Sequence, residues 1–195
     1  MGVEPLKSDA DRPYVHLRAR DESGFGLLEL LMAIVMLNVG ILAIVAAFSS
    51  GNAALARASQ VSTAAALADK QMEMYRGAAY NNIVFTTSDW NAATGDSTYT
   101  SDTVYQQNMS NPTAPKALVA TVSTCPSALP TTLACDPSFT TTGADHRSYR
   151  VDTYLYYDAP NYGNQLKTVT VVVRSGTNTA KTWARVTSTF DPSIG

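Results

Sequence analysis

The sequence predicts an α+β protein in which a long N-terminal helix, membrane-spanning in its first half and amphipathic in its second, packs on an antiparallel β-meander. Three observations carry this prediction. Residues 25–48 form one apolar run, residues 54–75 repeat small and apolar side chains at helical spacing, and three segments after residue 148 alternate in the manner of strands.

Composition excludes several classes of protein before any element is assigned. The chain has 195 residues, of which 15% are charged, with a net charge of −2. Without a basic excess to neutralise phosphates, we expect no nucleic-acid partner. Abundant Val, Leu and Tyr at low net charge argue against intrinsic disorder. Two Cys and two His are too few for a zinc ribbon or a multi-histidine metal site.

The apolar run at 25–48 reads FGLLELLMAIVMLNVGILAIVAAF and contains one charge, Glu29, and one amide, Asn38. As a helix, 24 residues span about 36 Å at roughly 1.5 Å each, which is enough to cross a bilayer core of about 30 Å. A secretory signal peptide and a buried core helix are the alternatives. The 24 residues before the run and its uniform apolarity favour a membrane anchor over both.

The N-terminal tail indicates the orientation of this anchor. It carries four basic residues, and basic residues retain a tail in the cytoplasm more effectively than acids oppose it. These residues are Lys7, Arg12, Arg18 and Arg20. The tail is therefore expected to be cytoplasmic and the rest of the chain extracytoplasmic.

The junction between tail and helix, residues 24–31, reads Gly-Phe-Gly-Leu-Leu-Glu-Leu-Leu. It resembles the class III leader junction of type IV pilins and pseudopilins, in which a peptidase cuts after a Gly and the new first residue is N-methylated. The resemblance makes Gly24 the last leader residue, Phe25 the methylated first mature residue and Glu29 the fifth. Gly26 stands where the family often has Thr or Ser. The element Gly-Ile-Leu at 40–42 is similar to that of PilV-type minor pilins.

This resemblance implies that the chain is a minor pilin or pseudopilin, which enters or primes a type IV pilus-like filament. It also implies that the chain is not an enzyme. It implies a leader at 1–24, a transmembrane and assembly helix at 25–48, an amphipathic continuation at 49–77 and an extracytoplasmic β-rich domain at 78–195. The implied partners are prepilin peptidase, other pilins or pseudopilins, an inner-membrane assembly platform and the lipid bilayer. Two alternatives stay open: a minor pseudopilin of type II secretion, and a membrane-anchored extracytoplasmic binding module.

Glu29 poses a physical problem whichever alternative holds. A carboxylate in a membrane helix costs about 2.5–3.5 kcal/mol on insertion scales, and the run 25–48 contains no other ionisable side chain to pair with it. Either Glu29 reaches the interface, or its partner lies outside this helix. The resemblance implies a partner of the second kind, the N-terminal amine of a neighbouring subunit.

After the anchor, a seam at alternating spacings of four and three predicts that the helix continues to about Arg76, where Gly77 ends it. The seam consists of Ala54, Ala58, Val61, Ala65, Ala68, Met72 and Tyr75. Residues 78–117 are expected to be mostly irregular, with a surface loop over 86–115 and a short strand near Ile83. Strands are predicted at 118–123, 149–157, 166–174 and 181–190, and the seam is expected to cover one face of their sheet.

The C-terminal domain offers little chemistry, and no catalytic residue, cofactor or metal is predicted. Cys125 and Cys135 are expected to form a disulfide in an exported domain, and a metal site with Asp136 as a further ligand is the alternative. The stretch 145–147, Asp-His-Arg, is expected to be a surface turn rather than a catalytic group. The tyrosines at 149, 154, 156, 157 and 162 are expected on the sheet or, alternatively, at a partner surface.

Overall fold

The computed structural model describes residues 26–111, 116, 118–158 and 166–194. They form an α+β arrangement, in which a long N-terminal helix packs on a four-stranded antiparallel sheet. The helix α1 runs over Leu27–Arg76, and the strands are β1 (Ser138–Thr142), β2 (Ser148–Asp158), β3 (Leu166–Ser175) and β4 (Thr182–Phe190), in the order β1-β2-β3-β4. By its contacts the chain divides after Ser49 into two compact units.

Helix α1 ends where its sequence predicts. Gly77 follows Arg76, and its N–H donates to the carbonyl of Glu73 (3.0 Å), which closes the last turn. The seam is confirmed only in its second half, since Ala68, Met72 and Tyr75 are fully buried, together with Ala64. Ala54, Ala58 and Val61 were expected in the same seam but are exposed, because the sheet does not reach that part of the helix.

The face of the sheet under α1 carries the main hydrophobic core. Side chains from β2 and β3 at alternate positions pack there against the buried helix residues, as the alternation predicted. These are Tyr149, Val151, Leu155, Val169, Val171 and Val173. The strands at 149–157, 166–174 and 181–190 are thus confirmed to within one residue at each end.

The fourth strand of the meander is not the one expected. Residues 118–123 form only two isolated bridges, Leu118 to Tyr156 and Val122 to Thr86. The fourth strand is β1, which pairs with β2 in the register Phe139 to Val151. Its sequence, Ser-Phe-Thr-Thr-Thr, has β-forming side chains but only one large apolar residue, so periodicity did not detect it.

The expected loop is wrong over 86–109, and so is the short strand near Ile83; residues 112–115 of that loop lie outside the described residues. A 3₁₀ turn covers Tyr80–Asn82, and three helical segments follow: α2 (Thr87–Thr94), α3 (Ser97–Thr100) and a π-helical turn (Tyr105–Met109). The polar residues that suggested a loop serve as helix caps. Thr86 accepts the N–H of Asp89 (3.2 Å), and Asp96 accepts that of Thr98 (2.7 Å).

These helical segments cover the second face of the sheet. Tyr99 stacks on Tyr154, with ring centroids 4.5 Å apart, and its hydroxyl donates to the carbonyl of Thr153 (2.6 Å). Buried ion pairs join the same two layers, because Arg174 of β3 pairs with Asp102 as well as with Asp152 of β2. Both faces of the sheet are therefore covered over β2 and β3, which explains why seven of the 11 residues of β2 and eight of the 10 residues of β3 are buried.

Candidate membrane and assembly segment

The first unit contains the strongest functional feature, the apolar half of α1. Its large apolar side chains are exposed on every side, from 47% at Ile34 to 78% at Leu27. Over the described residues, one helix is long and apolar enough to cross a membrane, and it is this one, with a mean hydropathy of 2.7 in its most apolar stretch. Because apolar side chains (Leu, Ile, Val and Met) face outward on every side, we expect this half of the helix to be surrounded by an apolar environment, either lipid or protein.

Glu29 lies in the first turn of α1, two residues after the helix begins. Its backbone N–H donates to the carbonyl of Gly26 (2.9 Å), and its side chain is exposed. An acid in this turn interacts favourably with the positive end of the helix dipole. Among the described residues, no basic side chain forms an ion pair with Glu29.

The other residues of the junction, Gly24 and Phe25, lie outside the described residues. Their roles in cleavage and methylation therefore remain predictions from the sequence.

The second unit contains the expected disulfide, Cys125–Cys135, with Cα atoms 5.8 Å apart. The loop that it closes is held on α1 by two side chains of the helix. Tyr75 donates its hydroxyl to the carbonyl of Ala134 (2.8 Å), and Gln71 donates to that of Leu133 (3.2 Å). Burial raises the pKa of Tyr75, so the phenol stays a donor. The disulfide loop thus fastens the β-rich domain to the buried half of the helix.

The alternative of a metal site at the cysteines does not fit this geometry. Both sulfurs are used in the disulfide, and the carboxylate of Asp136 accepts the N–H of Ser138 (2.9 Å). Burial raises the pKa of Asp136, which opposes the charged form that a metal ion needs. No group of three His, Cys, Asp or Glu suited to a metal ion occurs in the described ranges.

His146 lies exposed in the turn between β1 and β2, as expected of a surface turn, with a positive φ of 59°. Its neighbour Asp145 accepts the hydroxyl of Tyr149 (2.7 Å). Three of the five tyrosines that could have formed a partner surface are buried: Tyr149, Tyr154 and Tyr156. Tyr157 is half-buried, and Tyr162 lies outside the described residues, so the tyrosines belong mainly to the core.

Sequence reasoning missed the charged layer on the second face of the sheet. Arg150, Asp152 and Arg174 occupy strand positions, and Arg150 bonds both Asp152 (2.8 Å) and Asp96. The signal was present, because charges inside otherwise apolar strands need partners from a covering segment. The Asp residues at 96 and 102, in the stretch taken for a loop, are those partners.

No protein-family model, curated protein or solved structure matches the chain.

Proposed function

We propose that this chain is a minor pilin or pseudopilin, a structural subunit of a type IV pilus-like filament. Prepilin peptidase cuts between Gly24 and Phe25 on the cytoplasmic side of the inner membrane, and Phe25 is N-methylated. Before assembly, the subunit is anchored in the bilayer with its β-rich domain on the extracytoplasmic side. The assembly platform then transfers it into a filament with other pilins or pseudopilins.

The observation that carries the proposal is the bare apolar half of α1. A helix exposed on all sides has a surface that lipid can cover before assembly and neighbouring helices can cover afterwards. An ordinary anchor needs only the first of these environments. The junction motif ahead of this helix, with Glu29 as the fifth residue after the cut, favours the second.

Glu29 supports an assembly role on electrostatic grounds. Its carboxylate is the only charge in 25–48, and burial in an apolar surrounding requires a counter-charge. Cleavage after Gly24 would create a cationic amine at Phe25, one helical turn away. Between neighbouring subunits, that amine and Glu29 can pair at one axial offset only, so the pair would set the register of the filament.

The second unit is compatible with the same role. A helix that packs on one face of an antiparallel meander, with a disulfide-closed loop beside it, is the arrangement that the resemblance implies for a pilin. The disulfide lies in mid-domain and is fastened to α1, so we assign it to stability and not to adhesion.

Processing gives the direct test. In a host with its own prepilin peptidase, intact-mass spectrometry should show a chain that begins at N-methylated Phe25. Gly24→Leu should block the cut, because the peptidase needs close access to the backbone there, and Gly24→Ala should be milder. Gly26→Ala is the matched control, since a Cβ at Gly26 meets no atom within 4 Å, and it should be processed normally.

An intact leader in the wild type, or an N-terminus after the apolar run, would contradict the proposal. The first result would favour the membrane-anchored binding module, which needs the helix but neither cleavage nor methylation. The type II secretion pseudopilin shares every processing step with the pilus subunit. Loss of either piliation or secretion on deletion of this protein distinguishes those two.

A further inference from the structure

An apolar groove of about 220 Å³ opens beside β1, between that strand, α1 and the disulfide loop. Its lining includes Leu67, Lys70, Met74, Leu133, Phe139 and Val151. Leu133 is 40% exposed, so the groove presents apolar surface to solvent. The groove is smaller than the 300 Å³ or so at which small-molecule pockets begin, so it suits a single apolar side chain.

The strand beside this groove has an unpaired edge. Two bonds fix the hydrogen-bonding phase of β1 and β2: the N–H of Thr153 donates to the carbonyl of Pro137 (2.7 Å), and that of Gly143 to the carbonyl of Arg147 (2.8 Å). Because bonded pairs alternate along an antiparallel ladder, the main-chain groups of Phe139 point to β2.

By the same alternation, the main-chain groups of Ser138, Thr140 and Thr142 point away from the sheet. The N–H of Ser138 is accepted by Asp136 (2.9 Å). Thr140 and Thr142 have no main-chain partner on that side within the described part of the chain. A β-strand partner would complete these bonds, as in peptide recognition by strand addition.

We propose that β1 and this groove together form a docking site for an extended strand of a partner protein. The incoming strand bonds to the main chain of Thr140 and Thr142. Its side chains opposite Phe139 and Thr141 lie on the α1 face of the sheet, so one of them enters the groove. The main-chain bonds supply affinity, and the groove selects a large apolar residue at one position.

Charge complementarity identifies the kind of partner. Lys70 is the only charged residue among those that line the groove, and it forms no ion pair with the described residues. The partner strand therefore carries an Asp or Glu on the same face as its apolar residue. The sheet's own edge strands, β1 and β4, contain no carboxylate, so a second copy of this chain does not supply the match. The proposal stands whether or not the chain enters a filament.

Fluorescent nine-residue peptides test the site on the full-length chain in detergent micelles. The probe alternates Thr and Val, with Leu in the centre and Glu two positions later, so that both face the groove. Its partner peptide has Lys in place of Glu. We expect the Glu peptide to bind about fivefold more tightly, and Lys70→Glu to reverse that preference. Lys181→Glu, at an exposed lysine that directly precedes the opposite edge strand β4, is the matched control and should change nothing.

Two further variants separate the edge from the groove. Thr140→Pro removes an outward N–H without removing a β1–β2 bond, and should weaken both peptides by about tenfold. Leu133→Ala removes an apolar wall of the groove without adding a charge, leaves the backbone of β1 intact, and should weaken both peptides similarly. Unchanged binding in both variants, or an unreversed preference in Lys70→Glu, overturns the proposal. Self-association of the wild type that Thr140→Pro abolishes would also overturn it, in favour of a second copy.

Discussion

Both halves of α1 carry apolar side chains, but these side chains have different surroundings. Ala64, Ala68, Met72 and Tyr75 are fully buried against the sheet, whereas Leu37 in the first half is 63% exposed. Helical hydrogen bonding continues through both halves. The hydrophobic free energy of the second half is gained on folding of the domain, and that of the first half only in a bilayer or an assembly. The helix thus combines a structural element and an interaction surface.

Truncation of one buried residue in the second half of α1 should have the largest effect on the stability of the domain. Met72→Ala should lower the free energy of unfolding of the β-rich domain by about 2–5 kcal/mol, because it leaves a cavity under the sheet. Leu37→Ala is the matched control and should leave that free energy unchanged. Denaturant unfolding of the full chain in micelles measures both, with the fluorescence of Trp90 and Trp183. Equal losses in the two variants would mean that the first half is part of the domain core.

Loss of the disulfide should have the next largest effect on stability. The effect should be confined to the unit that contains the second half of α1. Replacement of both Cys125 and Cys135 by Ala should cost about 2–3 kcal/mol of unfolding free energy, because the open loop gains entropy when the chain unfolds. A reducing agent should give the wild type the same lower stability and should not affect the double variant. A wild type insensitive to reduction would show that the loop is held by Tyr75 and Gln71 without the disulfide.

Lys167 in the second unit and Glu29 in the first unit both lack an ion-pair partner among the described residues, but their surroundings differ. Lys167 is 3% exposed, and its Nζ donates to the carbonyls of Tyr80 (2.8 Å) and Ile83 (2.9 Å). Burial lowers the pKa of Lys167 from its ordinary 10.5 to about 8. The β-rich domain thus satisfies its buried lysine internally, whereas the side chain of Glu29 in the first unit is exposed.

The lowered pKa of Lys167 predicts a pH dependence with a definite sign. Between about pH 8 and 10 the unfolded chain keeps the proton that the folded chain has lost at Lys167, so this lysine makes stability rise with pH by about 1–2 kcal/mol. The raised pKa of buried tyrosines such as Tyr75 and Tyr154 acts in the opposite direction as pH approaches 10, so a comparison of variants isolates the lysine. Unfolding at several pH values should show that Lys167→Met loses this contribution, whereas Lys181→Met, at an exposed position, keeps the wild-type pH dependence. A wild type with the same pH dependence as Lys167→Met over this interval would contradict the assignment.

The sequence predicted those parts of the fold that periodicity controls. The end of α1 at Gly77, the three long strands and the meander follow from local patterns, and a single cysteine pair left few alternatives for the disulfide. It did not predict the cover over the second face of the sheet. The residues of that cover, such as Thr86 and Asp96, are turn formers in isolation. Only contacts with distant strands, such as the pair of Asp96 with Arg150, make them caps and ion-pair partners.

Of the two candidate sites, one could also be predicted from the sequence and the other could not. Glu29 was evident because one charge interrupts a long apolar run. The groove beside β1 was not, because its walls come from α1, the disulfide loop and two strands that lie more than sixty residues away from the helix in sequence. Its key residues, such as Lys70 and Leu133, have no common pattern along the chain.

Substitution of Glu29 tests most directly whether the bare half of α1 is an assembly surface. Glu29→Val should have the smallest effect on stability, with no change in unfolding of the domain, since Glu29 belongs to the first compact unit. Membrane insertion should be intact or improved, because the only charge of the helix is lost. Cleavage after Gly24 should continue.

The quantity to measure is the amount of this chain in sheared filaments, relative to the amount in the membrane. We predict a sharp fall for Glu29→Val and little change for Asn38→Val, the matched control that removes the other polar residue of the same run. A Glu29→Val chain that is cleaved, stable and incorporated at the wild-type level would contradict the proposed function, and Glu29 would then be an interfacial carboxylate of a simple membrane anchor.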